Sequence, residues 1–115
     1  MIQKSSLYNS IEYGPKGPKI NVLIETEFTK EIRILLATGQ EVKEHKTPFP
    51  IVIEIVQGHI SFGVNGELMA LEKGALLSLQ GSITHNLVAK EDSILRLTLS
   101  KQDEFKRVQK VGEQS

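Results

Sequence analysis

The sequence predicts an all-β domain, an antiparallel sandwich or barrel, on three observations. Short β-branched and aliphatic runs recur from residue 20 to residue 100, turn residues separate them about every ten positions, and helical spacing is confined to residues 101–115. At 115 residues the chain has room for one domain, which buries about two thirds of the surface its unfolded form exposes. Lysine plus arginine and aspartate plus glutamate number 14 each, so no global field draws in nucleic acid or an acidic membrane surface. There is no cysteine, which excludes disulfides and thiolate metal sites and leaves histidine and carboxylate as the strong ligands. The start, MIQKSSLYNSIEYG, lacks the apolar stretch of a signal peptide, and no apolar run is long enough to span a bilayer. The expectation is a soluble cytoplasmic protein with no membrane insertion and no nucleic-acid partner.

Residues 1–19 end in Tyr13-Gly-Pro-Lys-Gly-Pro18, where two prolines and two glycines disfavour a regular element. This reads as an arm, with a sheet edge as its natural partner. The barrel itself is assigned to residues 20–100. INVLIETEF and EIRILLA form two strands around a reversal at Thr26 to Lys30. A polar strand from Gln40 to His45 leads to the corner Thr47-Pro-Phe-Pro50, which belongs outside a central strand because proline cannot donate to a ladder.

In the strand IVIEIVQ, Ile51, Ile53 and Ile55 share one face while Val52, Glu54 and Val56 share the other. Both faces are largely apolar, so both are covered, and a second subunit is the expected cover for the second. Val52 and Val56 are accordingly assigned to a homodimer contact. In ISFGV, the side chains of Ile60, Phe62 and Val64 face inward, which turns His59 and Ser61 outward and makes His59 a solvated or interface residue. Asn65-Gly66 supplies the two positive-φ residues of a type I′ hairpin before ELMALE. ALLSL, THNLVA and SILRLTLS complete the strands. Residues 101–115 are assigned to a short helix and tail: Ser100 and Asp103 bound a capping box, and Phe105, Val108 and Val111 form an apolar stripe ending at Gly112.

Two glycine-bounded blocks carry the chemistry. The first runs from Gly39 to Gly58 and holds His45, Thr47 and Ile51; the second runs from Gly74 to Ala89 and holds Gln80, Ser82 and His85. Their spacing resembles the paired motifs of the cupin superfamily: G, five residues, H-x-H, three or four residues, E, six residues, G, then G, five residues, P-x-G, two residues, H, three residues, N. Gly39, His45, Gly58, Gly74 and His85 match, and 15 residues separate the blocks as in short cupins. Thr47 replaces the second histidine and Ile51 the glutamate, while Gln80, Ser82 and Ala89 replace the proline, glycine and asparagine. The resemblance implies a jelly-roll β-barrel of the RmlC-like kind over almost the whole chain.

Cupins include isomerases, epimerases, dioxygenases, decarboxylases, storage proteins and sensory domains, and the fold does not choose among them. Metal-binding members converge three histidines and a glutamate inside the barrel, a role the resemblance carries only to His45 and His85. A catalytic site normally needs three protein ligands, isoleucine cannot ligate, and strand parity places only Glu41 with His45. No tightly held cofactor is expected; the alternative is a divalent ion (zinc, nickel, iron or manganese) held weakly by the two histidines. Epimerase-type chemistry would need a base such as His45 or His85 with an acid opposite, and both tyrosines lie in the arm. Lys43, Arg33 and Arg96 read as solvated face residues.

What remains is an apolar pocket walled by Ile51, Ile53 and Leu87, with His45, Thr47 and His85 as its polar groups. The readings left open are a barrel that binds a small molecule or macromolecular ligand without efficient metal catalysis, a metal-dependent isomerase or dioxygenase using two histidines, and a filled core whose business is a protein partner.

Overall fold

The computed structural model describes residues 2–101. Nine strands follow in order: β1 (Lys19–Glu25), β2 (Thr29–Leu36), β3 (Glu41–His45), β4 (Ile51–Gln57), β5 (His59–Val64), β6 (Glu67–Glu72), β7 (Leu76–Leu79), β8 (His85–Ala89) and β9 (Ser93–Ser100). A larger sheet has the order β1-β2-β9-β4-β7 and a smaller one β3-β8-β5-β6, with every pair antiparallel. The two sheets face one another as an all-β jelly roll. The helix expected from residue 101 onward lies outside the described residues. Among the described residues, no helix is long and apolar enough to cross a membrane.

Alternation along the strands builds the core. Ile51, Ile53 and Ile55 of β4 face inward beside Leu99, Leu97 and Leu95 of β9, and from the smaller sheet Ile60, Phe62, Leu87 and Ala89 meet them. The β5–β6 hairpin turns on Asn65 and Gly66, whose φ angles of 52° and 79° make the type I′ turn that the right-handed strand twist favours. Gly58, at φ 100°, takes the tight step from β4 into β5; a Cβ there would run into Ser93 and the Asp92 carbonyl.

The outer face of the larger sheet departs from the expected arrangement. The arm lies across this face instead of pairing an edge: Leu7, Ile11 and Tyr13 pack on Leu35, Val56 and Ile94. Val56 is therefore covered by its own chain, whereas Val52 remains 40% exposed. The double-sided apolar character of β4 has an intramolecular cause over Val56, and a subunit contact is not needed to bury it. Gln3 meets the edge, its side-chain amide giving and taking hydrogen bonds with the backbone of Glu25.

Arg33 also departs from its reading as a solvated residue, since it is buried. Its guanidinium donates to the carbonyls of Leu7 and Asn9 at 3.2 and 2.7 Å and to Asn21 Oδ1 at 3.3 and 2.9 Å. It pins the arm to the sheet. Arg96, directly across from Arg33, is half-buried and held by Glu54 at 3.0 Å and Glu31 at 3.4 Å.

Candidate functional site

The barrel is filled at one end and hollow at the other, and the two histidines mark the hollow end. β3 and β8 pair with Val42 opposite Leu87 and His45 opposite His85. Three steps along β3 match two along β8, so β3 carries one extra residue, a bulge between Val42 and His45. The bulge resets the parity, and both Val42 and His45 line the interior cavity. Glu41, which strict alternation places beside His45, is opposite Val88 and exposed. That expectation is corrected, and the histidine has no carboxylate on its side of the strand.

The two imidazoles are in contact, with ring centroids 4.3 Å apart and planes tilted by 58°. His85 is 3% exposed and stacks at 12° on Phe62, with centroids 5.6 Å apart. His45 sits at the exposed lip. Each ring is held the same way: Nδ1 of His45 lies 3.0 Å from the carbonyl oxygen of Lys43, and Nδ1 of His85 lies 3.0 Å from that of Ile83. A carbonyl can only accept, so each Nδ1 carries a proton, and in the neutral ring each Nε2 presents a lone pair. Neither Nε2 has a hydrogen-bond partner among the described residues.

These groups line a cavity of about 140 Å³. All six residues singled out from the sequence, His45, Thr47, Ile51, Ile53, His85 and Leu87, are on its wall. Sequence reasoning missed Val42, because the bulge that turns it inward breaks strand periodicity. It also missed Ile20, Ile34, Leu95, Leu97 and Leu99, whose level in the barrel depends on strand register. Thr47 donates its hydroxyl proton to the Phe49 carbonyl at 2.9 Å, and its own carbonyl accepts from Ser82 N–H at 2.6 Å, which ties the Pro48–Pro50 corner to the loop before β8. Among the described residues, no lysine, arginine, aspartate or glutamate lines the cavity. A second hollow of about 200 Å³ shares Thr47, Ile51 and Leu99 with it and adds Lys30 and Lys101; both lysines pair with Glu25, at 3.9 and 3.2 Å. His59 stands apart, half-exposed and 3.8 Å from Glu72.

The donor set does not fit a tightly held metal. Among the described residues, no group of three or more histidine, cysteine, aspartate or glutamate side chains is placed to hold an ion. The Ile51 side chain where a carboxylate would be needed is part of the aliphatic wall.

No protein-family model and no curated protein matches the chain. Solved structures do. An RmlC-like cupin from Desulfovibrio desulfuricans superposes with a TM-score of 0.80 at 19% identity, covering 87% of this chain and 97% of that one. An RmlC-like cupin from Shewanella frigidimarina gives a TM-score of 0.72 at 23% identity over 87% and 94% of the two chains. The chain has the cupin fold. An uncharacterized conserved protein from Klebsiella pneumoniae with a double-stranded β-helix domain is similar as well, with a TM-score of 0.76 at 16% identity over 87% and 90%. At these identities the cupin likeness fixes architecture, and the chemistry has to be read from the cavity itself. Within this cupin barrel Gly39, Gly58 and Gly74 have positive φ angles of 87°, 100° and 91°, and Thr47 and Ile51 stand where the cupin motif has a histidine and a glutamate.

Proposed function

We propose that this small cupin barrel binds a small molecule in the hollow end, without an efficient metal-dependent reaction of its own. The observation that carries the reading is His85: a side chain 3% exposed, on the wall of an aliphatic cavity, whose Nε2 has no hydrogen-bond partner among the described residues. Buried polar atoms are nearly always satisfied, and a ligand in the cavity would satisfy this one. The remaining walls supply the apolar contact typical of such sites. The test is a methyl-resolved NMR titration with uncharged molecules of five to eight heavy atoms. Shifts confined to Ile51, Ile53, Leu87 and Leu97 and abolished by the cavity-filling Val42→Phe support the reading; no localised shift from any probe overturns it.

One observation favours a second reading, a metal-dependent isomerase or dioxygenase using a reduced two-histidine site. Both imidazoles are oriented through Nδ1 by backbone carbonyls and leave Nε2 free, as metal-ligating histidines commonly are. Two ligands would hold zinc, nickel, iron or manganese weakly, with water or substrate completing the shell. Elemental analysis of protein purified without chelator decides this: about one equivalent of metal that is lost in both His45→Ala and His85→Ala establishes it, and metal-free protein removes it.

A cytoplasmic homodimer belongs to the same proposal. Ile20 and Val22 are 62% and 57% exposed on β1, the edge strand of the larger sheet, and a second copy of the chain is the occupant that would cover them. Sedimentation at high concentration giving a mass near the 12.8 kDa of the monomer would exclude it.

A further inference from the structure

Resting on the reading of the cavity as a binding site, we infer that it selects an uncharged molecule of about the size of phenol that donates a hydrogen bond. Three features of the wall converge on that class.

Charge comes first. Among the described residues, lysine, arginine, aspartate and glutamate are all missing from the cavity lining, so a carboxylate or phosphate entering it would lose its hydration without a counter-charge from them, which disfavours such ligands. Size is the second constraint. The volume of about 140 Å³ is close to that of an apolar cavity of about 150 Å³ that admits benzene.

The third feature sets the direction of the hydrogen bond. The Lys43 and Ile83 carbonyls fix the protons of His45 and His85 on Nδ1, and the Thr47 hydroxyl has already given its proton to Phe49. With both rings neutral, each of the three polar side chains on the wall therefore offers a lone pair and withholds a proton. The Phe62 stack and the Ile83 bond hold the His85 ring in place, so it cannot turn to exchange donor for acceptor. An alcohol, phenol or N–H group satisfies this wall; a ketone, an ether or a hydrocarbon of equal size does not.

The test compares phenol with toluene, which has the same number of heavy atoms without the donor, and with benzoate, using calorimetry on the full chain and xenon as an apolar control. Phenol is expected to bind about tenfold more tightly than toluene, the yield of one neutral hydrogen bond, and benzoate is expected not to bind. In His85→Phe, the preference for phenol over toluene should shrink. A readout on the wild type guards against a variant that fails to fold: the ¹⁵N resonance of His85 Nε2 should move with phenol and stay with toluene. Equal affinities for phenol and toluene, or binding of benzoate, would overturn this inference and leave the binding cavity standing. No uptake of phenol, toluene or xenon would overturn both.

Discussion

The two ends of the barrel are built from the same kinds of residue and behave differently. At the filled end, Leu36, Ile55, Ile60 and Ala89 are at most 1% exposed, and the arm lies over the outer face of the larger sheet there, on Leu35, Val56 and Ile94. At the hollow end the aliphatic side chains of Ile51, Ile53 and Leu97 stop short of His45 and His85 and leave about 140 Å³ between them. The outer face behind them carries the polar group of Glu31, Arg96 and Thr98. A filled end with cover on both sides stabilises; a hollow end with exposed polar lips is free to bind. The difference shows that hydrophobic composition alone does not make a core, because what matters is whether facing side chains meet at native packing density.

Equal truncations should separate the two ends most clearly. Ile55→Ala is expected to cost about 4 kcal/mol, because the filled end cannot collapse around the void, whereas Leu99→Ala beside the existing hollow should cost about 2 kcal/mol. Urea unfolding measures both, and equal costs would break the distinction. Enlargement should reverse it. Ala89→Leu should destabilise by about 2 kcal/mol through overpacking, while Val42→Leu, which grows into free space, should change stability by less than about 0.5 kcal/mol and weaken ligand uptake.

The arm gives a finer test. Arg33→Met removes its hydrogen bonds to the Leu7 and Asn9 carbonyls, and should cost about 1 to 2 kcal/mol and open residues 2–18 to limited proteolysis. Because Leu7, Ile11 and Tyr13 of the arm pack over the filled end, ligand affinity at the hollow end should be little altered; a parallel loss of affinity would show that the ends are coupled.

The smallest effect concerns pH. Burial first, and the Asp92 carboxylate second, raise the ionisation of Tyr13 above its ordinary value of 10.0. A raised value means that the folded state holds the phenol proton more tightly than the unfolded chain, so this contribution is complete below about pH 10 and is lost as the pH rises through the folded value. Alkaline unfolding curves of wild type and Tyr13→Phe should therefore converge below pH 10 and diverge above it.

The sequence by itself determined the strand content and its order. Alternation in IVIEIVQ and HISFGV, and the turn chemistry of Asn65-Gly66, are local properties that a chain expresses wherever it folds. They placed Ile51, Ile53, Phe62 and Leu87 inside, and the framework spacing brought His45 and His85 to one site. Tertiary structure alone decided the rest. The β3 bulge is set by pairing with β8, and it is what turns Val42 inward and Glu41 away from the histidine. Arg33 reads as a surface cation until the arm, more than twenty residues earlier in the chain, folds over it. The second apolar face of β4 looked like a subunit contact because no local signal says that Leu7, Ile11 and Tyr13 will reach Val56. Whether the barrel was full or hollow also lay beyond the sequence, since volume is a sum over strands that meet only in three dimensions.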